Sequence, residues 1–229
     1  MPRDIDESRR PGWSAGRATT AGLATTWPAP AGIDHHWQPL GQAWRSAGAE
    51  PGFQPGWARV SWQESFLRFE TLFMASAPGN RARGLNERTW ELGDICEVFL
   101  EIPDTTDYIE LHITPENQRL QLRWPTGGLE RFRAGAAPLA DFLVGDAGWV
   151  KSAAALGRGS WGAQAGIPAT VLECAAFAAG TTLRAAVCRY DYDGRPDPVF
   201  SSTAPLREPS FHRRQDWQDL TLTAAALTG

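Results

Sequence analysis

Between Asp94 and Trp124, apolar and polar residues alternate strictly in three successive stretches. A two-residue period belongs to extended strands, because successive side chains on a strand point to opposite faces. Two short clusters, Pro103 to Asp107 and Pro115 to Gln118, separate the stretches, and their Pro, Asp, Thr and Asn content suits hairpin connections. The segment is expected to form a three-stranded meander. Cys96, Val98, Leu100 and Ile102, then Ile109, Leu111 and Ile113, then Leu120, Leu122 and Trp124 are expected to face a core. The opposite face then presents Glu97, Phe99 and Glu101, followed by Tyr108, Glu110 and His112, and by Arg119, Gln121 and Arg123. That second face is rich in groups that bind or react.

Further strands are expected at Phe66 to Ala75, Trp161 to Ile167, Leu183 to Asp191 and Leu220 to Thr223, with turn signals throughout from Trp57 onward. Helix is scarce: Ser152 to Leu156 and Ala136 to Phe142 are expected to form at most short helical turns, limited by Pro138 and the glycines. The expected class is all-β, a two-sheet antiparallel β-sandwich. Residues 1–32 are dominated by Ala, Thr, Gly, Pro and Arg without a sustained period, and read as a loosely ordered arm that Trp13 and Trp27 would dock on the body. Residues 33–229 read as one domain.

Composition narrows the function classes. Lys plus Arg number 22 against 26 Asp plus Glu, a net charge of -4, whereas nucleic-acid binders carry a basic excess, so nucleic acid is not an expected partner. No apolar run approaches the ~20 residues of a membrane-spanning helix, and no membrane partner is expected. The odd set Cys96, Cys174 and Cys188 lies in strand-like stretches and argues against a disulfide framework. Met1 to Arg17 mixes charges of both signs without an apolar core, so a secretion signal is not indicated and a cytoplasmic location is expected.

Several motifs resolve into ordinary structure. Gly157-Arg158-Gly159-Ser160-Trp161-Gly162 fits G-x-G-x-x-G, but an alanine-rich stretch precedes it and Ile167-Pro168 follows closely, so the strand and helix of a dinucleotide site are missing. His35 and His36 are adjacent and would diverge in a strand, a poor metal pair. Asp191, Asp193 and Asp197 around Gly194 form a possible calcium cluster, for which a turn with solvated aspartates is the simpler account; no other cofactor is expected. Glu97, Glu101 and Glu110 offer the paired carboxylates of a glycosidase, although solvation or pairing with Arg119 and Arg123 is by far the commoner account of outward carboxylates on a sheet. Trp90 and Phe211 each sit in a polar stretch just ahead of a strand, where a ring at a loop rim can stack on a sugar.

Three blocks in order resemble carbohydrate-binding module family 9. Trp90-Glu91-Leu92-Gly93-Asp94-Ile95-Cys96-Glu97-Val98-Phe99-Leu100 is similar to the family's tryptophan, spacer and D-x-V-E-x-F strand, and Tyr108-Ile109-Glu110-Leu111-His112-Ile113-Thr114-Pro115 to the strand that follows it. Phe211-His212-Arg213-Arg214-Gln215-Asp216-Trp217-Gln218-Asp219-Leu220 resembles its closing block. Trp161 to Pro168 and Arg189-Tyr190-Asp191 add two weaker matches. The resemblance spans about Val60 to Leu222 and implies a jelly-roll-like β-sandwich that binds carbohydrate. By position it implies that Trp90 and Phe211 clamp a terminal sugar while Glu97, His112 and Arg189 bond its hydroxyls. Phe211 stands where well-studied members carry tryptophan, and Trp217-Gln218 departs from the family's aromatic and glycine. Two alternatives stand beside this reading: a glycoside hydrolase using Glu97 with Glu110 or Glu101, and a haem-binding electron-transfer domain with Met74 and His112 as axial ligands.

Overall fold

The computed structural model describes residues 12–18 and 36–226. The strands are β1 (Trp13–Arg17), β2 (Gln38–Pro39), β3 (Gly56–Gln63), β4 (Phe66–Met74), β5 (Ile95–Glu101), β6 (Tyr108–Ile113), β7 (Arg119–Trp124), β8 (Lys151–Gly157), β9 (Ser160–Pro168), β10 (Thr182–Asp191), β11 (Val199–Ser202) and β12 (Gln218–Ala226). One α-helix among the described residues, α1 (Gly128–Arg133), and a few 3-10 turns interrupt them. The protein is all-β. Its strands join in one hydrogen-bonded path, β7-β6-β5-β10-β12-β1-β3-β4-β9-β8, with β11 added to β10 and β2 to β3. The pairing is mixed, because β1 runs parallel to both β12 and β3.

The sheet curls so that its two halves share one core. Val98 and Leu111 from one half, and Phe69 and Trp161 from the other, belong to the same buried cluster. Each such side chain contributes about 1.5–3 kcal/mol on burial. A second cluster lies on the outer face of β5–β7, where Leu129 of α1, Leu139, Phe142, Leu206 and Trp217 pack over Phe99 and Tyr108. Both faces of the meander are therefore covered.

Three sequence expectations are corrected. Leu120, Leu122 and Trp124 do not join the face of Ile109, Leu111 and Ile113; they pair with His112, Glu110 and Tyr108 and lie in the second cluster. The parity of loop length decides this. An even number of residues separates Glu101 from Tyr108, so Glu97 pairs with His112, whereas an odd number separates Ile113 from Arg119, so His112 pairs with Leu120. The face of each strand is inverted by a one-residue change of register. Arg119, Gln121 and Arg123 consequently lie on the other face, where Arg119 bonds the carbonyls of Val150 and Ala147 and Gln121 those of Val144 and Asp146.

Ser152 to Leu156 is strand, not helical turn: β8 pairs with β9 along its whole length, and this pairing overrides the helical preference of its alanines. The glycine-rich motif beside it is a hairpin loop, in which Gly157 pairs with Ser160 and Gly159 takes φ +74°. Trp13 to Arg17, placed by sequence in a loosely ordered arm, form β1 within the sheet. Trp13 is 2% exposed and meets Phe69 edge-on at 6.2 Å. Trp27 and His35 lie outside the described residues.

Candidate functional site

The pairing register assembles a polar group on the outer face of β5 and β6. Glu97 is directly opposite His112, and Glu110 is two residues from His112 on the same face. His112 Nε2 lies 2.7 Å from Glu110 Oε1 and 3.1 Å from Glu97 Oε1. Its Nδ1 is 2.8 Å from the Thr89 hydroxyl, and the Trp124 indole N–H donates to Glu110 Oε2 at 2.6 Å. A further imidazole, His212, places Nε2 3.8 Å from Glu110 Oε2 and Nδ1 2.9 Å from the Tyr108 hydroxyl. Glu97, Glu110 and His112 are 3%, 4% and 1% exposed, so the solvated outer face that a half-exposed sheet would show is replaced by a buried network.

Burial sets the protonation of this network. It raises the Glu97 carboxyl well above the ordinary carboxylate range, and the neighbouring Glu110 raises it further. Burial would raise Glu110 too, but His212, His112 and the Trp124 indole outweigh it and hold this carboxyl below its usual value. The two carboxylates thus diverge, with Glu110 the anion. Burial pushes the His212 imidazole down, against the opposing pull of Glu110.

These groups form the wall of a cleft of about 260 Å³, bordered on its other sides by Leu129 and Phe132 of α1 and by Tyr190 and Phe200. Pockets for drug-sized ligands start at about 300 Å³, so this cleft suits a smaller molecule. Trp90 comes from the 3-10 turn Thr89–Glu91, which also supplies the hydroxyl to His112. That turn is tied down: Asn80 Nδ2 donates to the Thr89 carbonyl at 2.8 Å, and the Tyr192 hydroxyl to the Trp90 carbonyl at 2.8 Å. Gly93, at φ +144°, ends the segment where a Cβ would run into the Gly79 carbonyl. The Trp90 ring is half-buried and stands edge-on to His112 at 5.8 Å. Phe211, which also lines the cleft, is buried and edge-on to Tyr190 and Phe200 at 5.5 and 5.6 Å, while the Trp217 indole N–H donates to its carbonyl.

Of the residues named from sequence, Trp90, Glu97, His112 and Phe211 meet in this cleft. Arg189 does not. On β10 it pairs with Cys96, whereas its neighbour Cys188 pairs with Glu97, so Arg189 points to the other face. Its guanidinium is 0% exposed, donates to the Met74 carbonyl at 2.9 Å, ion-pairs with Asp191 at 3.0 Å, and lies over Phe73. Glu101 is likewise away from the cleft, bound to Arg214 at 2.7 Å. The haem pair is not assembled either, because Met74 is absent from the cleft that His112 lines. In the aspartate cluster, Asp191 lies between Arg189 and Arg195, and Asp193 accepts the backbone N–H groups of Ser76 and Ala77. Sequence reasoning missed Thr89, Trp124 and His212, although Thr89, next to Trp90, and His212, next to Phe211, each lay beside a residue already singled out.

The fold and cleft define an all-β protein with a small cavity walled by aromatic rings and ionisable side chains. No family model matches the chain, and no curated protein sequence matches it. Solved structures do share its fold. A candidate carbohydrate-binding protein from Bacteroides uniformis superposes with a TM-score of 0.68 at 17% identity, covering 92% of this chain and 99% of that one. A carbohydrate-binding module family 9 domain from Caldicellulosiruptor kristjanssonii in complex with cellotriose gives 0.61 at 10% identity, covering 93% and 95%. The same organism's family 9 module in complex with glucose gives 0.60 at 9% identity, covering 94% and 98%.

Proposed function

We propose that the chain is a non-catalytic carbohydrate-binding protein that takes a sugar, or the end of an oligosaccharide, in the cleft between Trp90 and Phe211. The observation that carries the reading is the composition of that one wall. A half-buried indole stands beside carboxylates and imidazoles, so an apolar sugar face and a rim of hydroxyls both find partners there. The shared fold of structures holding cellotriose and glucose supports it. Trp90 supplies the stacking ring. Phe211, held edge-on among other rings, supplies a second aromatic part of the lining. Glu110, whose carboxyl is held low by its partners, accepts from hydroxyls, and Glu97, whose carboxyl is raised by burial, lies beside it as a second hydroxyl partner. Ring contacts of this kind contribute about 0.5–1.5 kcal/mol and hydrogen bonds to charged groups about 1.5–3 kcal/mol.

A hydrolytic role finds no such support. The facing oxygens of Glu97 and Glu110 both contact His112, so the imidazole occupies the space that a scissile bond needs between two catalytic carboxyls. The test is a tryptophan-fluorescence titration against mono- and oligosaccharides, with and without calcium, repeated on Trp90→Ala. A saturable change with one sugar class, weakened about tenfold in the variant, supports the proposal; no response across the panel removes it.

A further inference from the structure

We propose that Glu97, Glu110 and His112 form a binding site for a divalent first-row transition metal on the wall of the cleft. One oxygen of each glutamate and one imidazole nitrogen lie within 4.8 Å of one another, and all three side chains are buried. They come from adjacent, directly paired strands, so their backbones are fixed relative to each other. Ligand atoms about 2.0–2.1 Å from a tetrahedral ion stand about 3.4 Å apart. His112 Nε2 lies 3.1 and 2.7 Å from its two carboxylate oxygens, so a small spreading of the group admits a cation where a shared proton otherwise holds it together.

The surroundings are those that metal ligands use. The outer nitrogen of His112 meets the Thr89 hydroxyl, which with Nδ1 protonated leaves the Nε2 lone pair for the ion. The second oxygen of Glu110 is held by the Trp124 indole N–H, and His212 borders the group from the same side. All three ligands line the cleft, so an ion held by them would border the space where a small molecule enters. A nitrogen donor and a count of three exclude a calcium-type cage of six to eight oxygens and match zinc, cobalt, manganese or iron(II). The inference stands on this geometry and does not require that the cleft bind sugar.

The experiment is calorimetric titration of the chelator-stripped, full-length chain with Zn²⁺, and with Co²⁺ read by its visible absorption. One ion per chain is expected, weakened at least tenfold in Glu97→Gln and in His112→Gln, and about 10–100-fold in Thr89→Val, which leaves the ligands in place. A replacement of His35 and His36 by alanine controls for binding elsewhere. No saturable binding by the folded wild type overturns the proposal. So does binding that survives Glu97→Gln and His112→Gln, or that disappears only with His35 and His36. Sugar titration of the stripped and the loaded protein keeps the two readings apart. A sugar response without metal binding sinks the metal site alone, and metal binding without a sugar response sinks the carbohydrate reading alone.

Discussion

The two faces of the β5–β6 pair are equally dry but differently made. One face carries Cys96, Val98, Leu100, Ile109, Leu111 and Ile113, all apolar and packed against the other half of the sheet. The other carries Glu97, Glu110 and His112 at the same burial. An apolar layer stabilises through area removed from water, whereas a buried ionisable layer recovers its desolvation cost only through well-placed partners. A face built for stability alone would be apolar on both sides. The polar face concentrates its partners at a cleft, which is where departures from local packing rules mark function.

That contrast can be broken from either side. The largest effect is expected at Arg189, whose buried guanidinium pairs with Asp191 on the apolar side. Arg189→Ala should cost about 3–5 kcal/mol, because one partner of a buried pair is left uncompensated, yet the folded fraction should bind sugar as wild type does. Urea unfolding alongside a sugar titration measures both. Leu111→Ala should cost about 2–5 kcal/mol, again without loss of affinity per folded molecule. Trp90→Ala should reverse the pattern: a roughly tenfold loss of sugar affinity with a smaller change in the unfolding midpoint.

A subtler effect concerns pH. Because the folded state raises the Glu97 carboxyl, its contribution to stability is complete below the ordinary carboxylate pKa and declines as pH rises through the raised folded value. Glu110 has the opposite sign. Its contribution is present above the ordinary value and is lost as pH falls through its lowered folded value. Glu97→Gln, which keeps the shape of the protonated acid, should remove the decline at higher pH and leave the acid limb intact. Unfolding midpoints across the two limbs read this directly, and a wild-type decline that persists in the variant would assign it to another group.

Much of this was legible from the sequence, and the parts that were not share a cause. The alternation of β5 and β6 placed Glu97, Glu110 and His112 on one face because period and burial agree within a strand. Trp90 and Phe211 were visible as rings in polar segments ahead of strands, and both border the cleft. The face of β7 was inverted because loop-length parity, not composition, sets the register, and Trp124 was therefore sought in the wrong layer. Arg189 failed in the same way, since its facing follows from the pairing of β10 with β5, two segments far apart in the chain. β1 carries too few residues for a period to show, and gains its place from parallel partners on both sides. Thr89 adjoins Trp90 in the chain, but its contact with His112 exists only once the turn and β6 have met.

The most direct test follows the tryptophans, which sample both faces. Trp90 and Trp124 lie at the cleft, while Trp13 and Trp161 lie in the apolar core. Indole N–H resonances of the labelled protein, followed during titration with the sugar that gives a fluorescence response, report each site separately. The account predicts saturable shifts at Trp90 and Trp124 with one common affinity, and stationary signals for Trp13 and Trp161. Saturable shifts that leave Trp90 and Trp124 unmoved would place the ligand elsewhere and contradict the account.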